Sequence, residues 1–141
     1  ARAAFALASV QDTSAVPALL EALDTRAPAA IRSARLACID VARRVPIMVN
    51  DTVMVLSALG EVDAAFEVTE GFLLWRGKVV STGQDDGKKM DDYSRRMTQW
   101  LFTPPCAVMR RDPRFLKLCD DFGLTAYWRA RNVRPDYQVY G

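Results

Sequence analysis

The chain has 141 residues, 50% hydrophobic and 26% charged, a globular balance that excludes wholesale disorder and allows one domain with its own core. A net charge of +2 and a pI near 8.6 leave no basic footprint for nucleic acid or an anionic membrane. No apolar run approaches the ~20 residues needed to cross a bilayer.

Cys38, Cys106 and Cys119 are far apart and odd in number, so the expectation is reduced thiols in a cytoplasmic protein, with no disulfide framework and no zinc site. The chain has no histidine, which removes the commonest general base and transition-metal ligand and rules out histidine triads. There is no initiator methionine and no signal-peptide pattern, and the first residues, ARAAFALASV, already read as helix. The reading is a C-terminal piece of a larger protein.

In chain order, residues 2–10 read as the end of a helix. Thr13 or Ser14 is placed to cap the next one, with Pro17 in its first turn and Val16, Leu19, Leu20 and Leu23 on one face. Pro28 opens a longer helix over residues 29–45, with Ile31, Ala34, Cys38, Val41 and Ala42 near one stripe. Arg32, Arg35, Arg43 and Arg44 fall outside that stripe as a solvated face, and Pro46 ends the helix. Residues 47–75, IMVNDTVMVLSALGEVDAAFEVTEGFLLW, carry helical spacing on both sides of Leu59-Gly60-Glu61. Gly60 suits the positive φ that ends a helix, Glu61 and Asp63 put acid in the next first turn, and Ala64 and Ala65 let the two helices approach closely.

Residues 76–89 hold three glycines and many charges, and read as a mobile loop with no buried face. Asp91 or Asp92 is placed to cap a helix containing Tyr93, Met97, Trp100 and Leu101, which Pro104-Pro105 stops. Asp112 then caps a helix with Pro113 at its first position and Phe115, Leu116, Cys119 and Phe122 facing inward, and Gly123 ends it. A last short helix over 124–131 carries Tyr127 and Trp128, and residues 132–141 read as an irregular tail.

Two comparisons within the sequence point to repeats. Ala30 and Ala65 hold matching places 35 residues apart, near the ~34-residue tetratricopeptide period, and the Leu59-Gly60 turn before Ala65 resembles the centre of that motif. Thr69 and Phe72 depart from it. The stretch LFTPPCAVMRRDPRFLKLCDDFGLTAYWRARNVRPD resembles an ending of many bacterial tetratricopeptide proteins. The matching residues are Leu101, Phe102, Pro104, Arg110, Asp112, Pro113, Arg114, Phe115, Gly123, Leu124, Tyr127, Trp128, Pro135 and Asp136. Such endings occur in multidomain regulators with winged-helix or cyclase modules, neither of which this sequence contains.

The expected fold is therefore all-α: antiparallel helix hairpins stacked as a short tetratricopeptide-like right-handed superhelix with a C-terminal helical cap. Residues 1–75 supply the degenerate hairpins, 76–90 the loop, and 91–141 the capping helices and tail, all in one structural domain. An open helical stack must cover its terminal apolar face. Asp112, Pro113, Phe115, Gly123, Tyr127 and Trp128 are assigned that structural role, with Arg110 and Arg114 pairing nearby acids. The leading function is a non-catalytic scaffold or regulatory module that docks a protein, a peptide or another domain of its own chain. It needs no cofactor and no metal, and makes no direct contact with nucleic acid or membrane; self-association is left open. Asn50, Met54 and Ser57, turned away from the partner helix, are its candidate partner-binding residues. The alternative is a small-molecule sensor coupled to a further N-terminal effector. An enzyme would need Asp85, Asp86, Asp91 and Asp92 as a magnesium site or a cysteine nucleophile without a histidine base, and is set aside.

Overall fold

A computed structural model describes residues 15–80, 84–85, 88–89 and 97–139. The readings made for residues 1–14 and 90–96, including the caps at Thr13, Ser14, Asp91 and Asp92, lie outside them. The described chain is all-helical apart from one short ladder. Helices α1 (Val16–Thr25), α2 (Pro28–Arg44), α3 (Val49–Ala58) and α4 (Val62–Leu73) come first. Two-residue strands β1 (Gln84–Asp85) and β2 (Lys88–Lys89) pair antiparallel, Gln84 opposite Lys89. Two 3-10 turns, Gln99–Phe102 and Pro104–Cys106, lead into α5 (Ala107–Arg111), α6 (Arg114–Asp121), α7 (Leu124–Arg131) and α8 (Asp136–Val139).

The boundaries follow local chemistry. Pro17 sits in the first turn of α1 and Pro28 opens α2, where the missing N–H belongs to an unpaired position anyway. Between them Arg26 takes a left-handed φ of 54°, and its guanidinium donates to the Ala58 carbonyl at 2.8 Å, tying the first turn to the end of α3. Pro46 cannot continue α2, and a 3-10 turn, Pro46–Met48, redirects the chain into α3. Gly60, at φ 79°, closes α3 as expected. Its N–H bonds the Ser57 carbonyl and the Glu61 N–H bonds the Leu56 carbonyl, the paired pattern of a left-handed helix terminator.

α1 packs on α2, α2 on α3 and α3 on α4, so the two hairpins stack through their middle helices. Leu19, Ala34, Cys38, Val53, Leu56 and Ala65 are fully buried at these contacts, and Ala64 with Ala65 provides the close approach expected of them. Thr69, the polar departure from the repeat pattern, is buried but satisfied: its hydroxyl donates to the Ala65 carbonyl at 2.7 Å. Leu20 is corrected, since it is exposed and Ala22 takes the inward place on α1. Three of the four arginines of α2 are engaged rather than simply solvated. Arg35 reaches Glu61 at 3.4 Å, Arg43 donates to the Lys78 carbonyl at 3.1 Å, and Arg44 pairs with Asp40.

The C-terminal half packs on the second hairpin. The Pro104–Cys106 turn and α5 lie against α3, and α5 also touches α4. Leu101, Cys106 and Met109 are buried there, and the Ser57 hydroxyl faces the Cys106 sulfur at 4.0 Å. α6 is held to α4 at both ends. Arg114 at its start pairs with Asp63 at 2.8 Å and lies over the Phe66 ring at 4.5 Å; Asp121 at its end meets Arg76, which also pairs with Glu70.

The segment after α4 is corrected in its first residues. Gly71 is buried in α4, and a Cβ built on it would stand 1.7 Å from the Val79 carbonyl oxygen. Only a glycine allows the backbone of residues 77–80 to lie that close, and Val79 is buried as a result. A run of charges and glycines therefore conceals one docked valine. Gly71→Ala tests this directly. Alanine improves helix propensity by about 1 kcal/mol, so an undocked segment predicts a more stable protein. The docked segment predicts a net loss of about 0.5–2 kcal/mol in urea unfolding, because expulsion of Val79 forfeits about 1.5–3 kcal/mol of burial.

Candidate functional site

Four rings, one of them a fully buried phenylalanine, build the C-terminal end of the molecule. Phe115 points inward from α6 and is completely buried. Phe102, from the turn before Thr103, meets it edge-on at 6.1 Å, and Tyr137, from α8, meets it edge-on at 5.6 Å. Tyr137 also lies 5.7 Å from Phe102 and 6.3 Å from Trp128, while Phe102 and Trp128 are 6.3 Å apart. Edge-to-face geometry at these separations adds to the burial that holds the rings. Burial raises the Tyr137 phenol above its ordinary pKa.

Polar contacts fix the frame around the rings. Asp112, extended before α6, accepts the Arg114 backbone N–H at 2.9 Å and two further bonds from the Arg114 guanidinium. Pro113, just before α6, already has helical angles, and the Asp112 carboxylate behind it takes up the first N–H of the helix, that of Arg114. The Arg114 bonds hold the Asp112 carboxyl well down, at about 2. Gly123 takes the left-handed φ of 87° that ends α6. Arg110 is corrected: its guanidinium donates to the Leu101 and Thr103 carbonyls, both at 2.8 Å, and not to an acid. Those two bonds hold the turn that presents Phe102.

Between these elements lies a cleft of about 640 Å³. Thr98, Gln99 and Phe102 form one side, Ala107, Arg110 and Arg111 a second, and Leu124, Tyr127 and Trp128 a third; Pro135, Asp136 and Tyr137 close it. Trp128 is half-buried, its ring shared between the cluster and the cleft, whereas Tyr127 is 56% exposed and has the Arg131 guanidinium 5.9 Å from its ring centre.

The expected site residues fall in different places. Asn50 and Met54 are partly buried on α3, and Met54 packs against the core. Ser57 is corrected as a partner-binding residue, because the chain's own Cys106 covers it. Phe115 and Trp128 are joined through Phe102 and Tyr137, and Gly123 ends the helix that carries Phe115; Tyr127 is corrected as a covering residue, since it is more than half exposed on the cleft wall. Leu116 is exposed, and Leu118 takes its inward place. The tail is also corrected, since residues 136–139 form α8 and bring Tyr137 into the ring cluster. Sequence reasoning missed Tyr137 and Arg111 as site residues. The signal for this region was the ordered run of residues ending at Pro135 and Asp136, both of which line the cleft.

The thiols are unsuited to nucleophilic work. Burial pushes Cys38 up to about 12 and Cys119 up to about 11, and raises Cys106, so each stays protonated at neutral pH. Among the described residues no three metal-binding side chains come together. The Asp85 side chain and Asp86, Asp91 and Asp92 lie outside them. No helix among the described residues is long and apolar enough to cross a membrane.

Comparison with known proteins adds one match. Residues 1–25 match the family described as PBS lyase HEAT-like repeat. No curated protein and no solved structure matches the chain. The match includes α1, and it agrees with the stacked hairpins in marking a helical-repeat region. It meets the tetratricopeptide resemblance of the later residues at that level, since both repeat types stack helix pairs.

The cluster separates support from surface by a stability measurement. Phe115→Ala removes a fully buried ring and should lower stability by about 3–5 kcal/mol, whereas Tyr127→Ala, on the open wall, should stay within about 0.5 kcal/mol of the parent. Equilibrium urea unfolding distinguishes the two, and equal losses would contradict the division.

Proposed function

We propose that this chain is a non-catalytic helical-repeat module that binds a segment of another protein, or of another domain of its own chain, in the C-terminal cleft. The observation that carries the reading is the cleft itself: rings held by a buried phenylalanine, beside guanidinium groups, at the end of a helical stack. Protein-binding patches are enriched in aromatic residues and arginine. The HEAT-like match supports a repeat scaffold, and the ordered run from Leu101 to Asp136 supports a place among bacterial regulatory proteins. Asp112, Pro113, Phe115, Gly123 and Trp128 serve as the cap that builds the cleft, and Tyr127 as a contact residue. The stacking of α2 on α3 supports a continuous stack of hairpins, and a right-handed superhelical course is part of the proposal. The cleft volume also suits a small organic ligand, which keeps the sensor reading as the second one.

Selection of a random peptide library on the full chain tests the proposal. Enriched peptides should lose affinity for Tyr127→Ala, which leaves the fold intact. Enriched peptides that bind this variant unchanged would place the interaction elsewhere. Stabilisation of the chain by small metabolites, with no peptide bound, would favour the sensor.

A further inference from the structure

The charges around the cleft narrow what it accepts. Arg111 lines it, is exposed, and has no ion pair or hydrogen bond among the described residues. Arg131 lies over the ring of Tyr127 on the open wall. Arg110 points one nitrogen at two carbonyls, which positions the group while leaving its other N–H donors. Asp136 is the one acid of the lining among the described residues. The cleft thus offers an excess of positive charge beside apolar rings. Arginine matches a carboxylate with two parallel N–H bonds, and ring walls take a planar side chain.

Val133 and Val139, which flank the lining residues Pro135, Asp136 and Tyr137 in the chain, are about half exposed.

We infer that the cleft takes an acidic peptide segment with an aromatic side chain: the ring enters the cleft against its aromatic wall of Tyr127 and Trp128, and flanking carboxylates meet Arg111 and Arg131. The inference rests on the protein-binding reading above and specifies its ligand. Single-stranded nucleic acid also combines stacking with arginine contacts, but its continuous run of phosphates calls for a basic track that a chain of net charge +2 does not supply, which favours a short peptide.

The test is a nuclear magnetic resonance titration of the isotope-labelled full chain with four probes. These are a synthetic peptide with one tryptophan among glutamates and aspartates, its counterpart with lysines for the acids, its counterpart with alanine for the tryptophan, and an oligouridylate. The first should move the Arg111 and Tyr127 amide signals and bind at least about tenfold more tightly than the other three, equivalent to about 1.4 kcal/mol. Arg111→Glu, an exposed change, should weaken it by about tenfold or more, and added salt should weaken it further. Equal binding by the lysine peptide at the same signals would overturn the charge inference and leave the cleft a peptide site. Equal binding by the alanine peptide would overturn the aromatic anchor. Tighter binding by the oligouridylate, or an unchanged affinity for Arg111→Glu, would overturn the inference as a whole. If no probe moved the cleft signals the inference would also fail, while enriched library peptides sensitive to Tyr127→Ala would still uphold the protein-binding reading.

Discussion

The contact between the Pro104–Cys106 turn and α3 governs how the rest of the molecule is arranged. α3 is the first helix of the second hairpin, the helix whose free side would line a binding surface in an open stack of hairpins. Here that side is filled. Cys106 reaches Ser57, Met109 and Leu101 are buried beside it, and α5 bridges α3 and α4. Two consequences follow. The hairpins and the C-terminal helices share one core, and the partner surface we propose is the ring cleft, which α5 lines with Ala107, Arg110 and Arg111. Arg114 and Arg76 then attach α6 along α4 at both ends. Exposed ion pairs of this kind contribute little each, so they set the position of α6 more than its stability.

The hairpins were legible because their signals are local. Pro17, Pro28 and Pro46 punctuate the first half, Gly60 supplies a left-handed terminator, and Ala64-Ala65 marks a close helix contact. The Asp112-Pro113 start and the Gly123 stop of α6 are local for the same reason. What failed was long-range. Nothing near Ser57 announces that Cys106, far along the chain, will cover it. Helical spacing placed Leu20 and Leu116 on inward faces, but the identity of the inward face depends on which neighbour arrives, and Ala22 and Leu118 won. Gly71 looked like an unremarkable helical residue until the Val79 carbonyl was found against it.

The candidate site was half legible. The order of residues from Leu101 to Asp136 identified the region, and physics identified its apolar ends as a cap. The ring cluster and the cleft are one construction: Phe102 and Tyr137 meet the buried Phe115 and, with Trp128, also line the cleft. Tyr137 was hidden because a lone tyrosine after a proline carries no periodicity to show that α8 folds back. Arg110 was read as an ion-pair partner, yet it satisfies two carbonyls of an irregular turn, a role set by backbone geometry that residue types do not display.

Native-state amide hydrogen exchange with increasing denaturant tests the shared core most directly. If the Pro104–Cys106 turn and α5 join both halves, the amides of Val53 and Leu56 in α3 and of Leu118 and Cys119 in α6 should exchange through one global opening. Their opening free energies and denaturant dependences should then coincide. Exchange of the α6 amides through a separate opening of much lower free energy, with α3 still protected, would show that the C-terminal helices are only appended to the hairpins and would contradict the account.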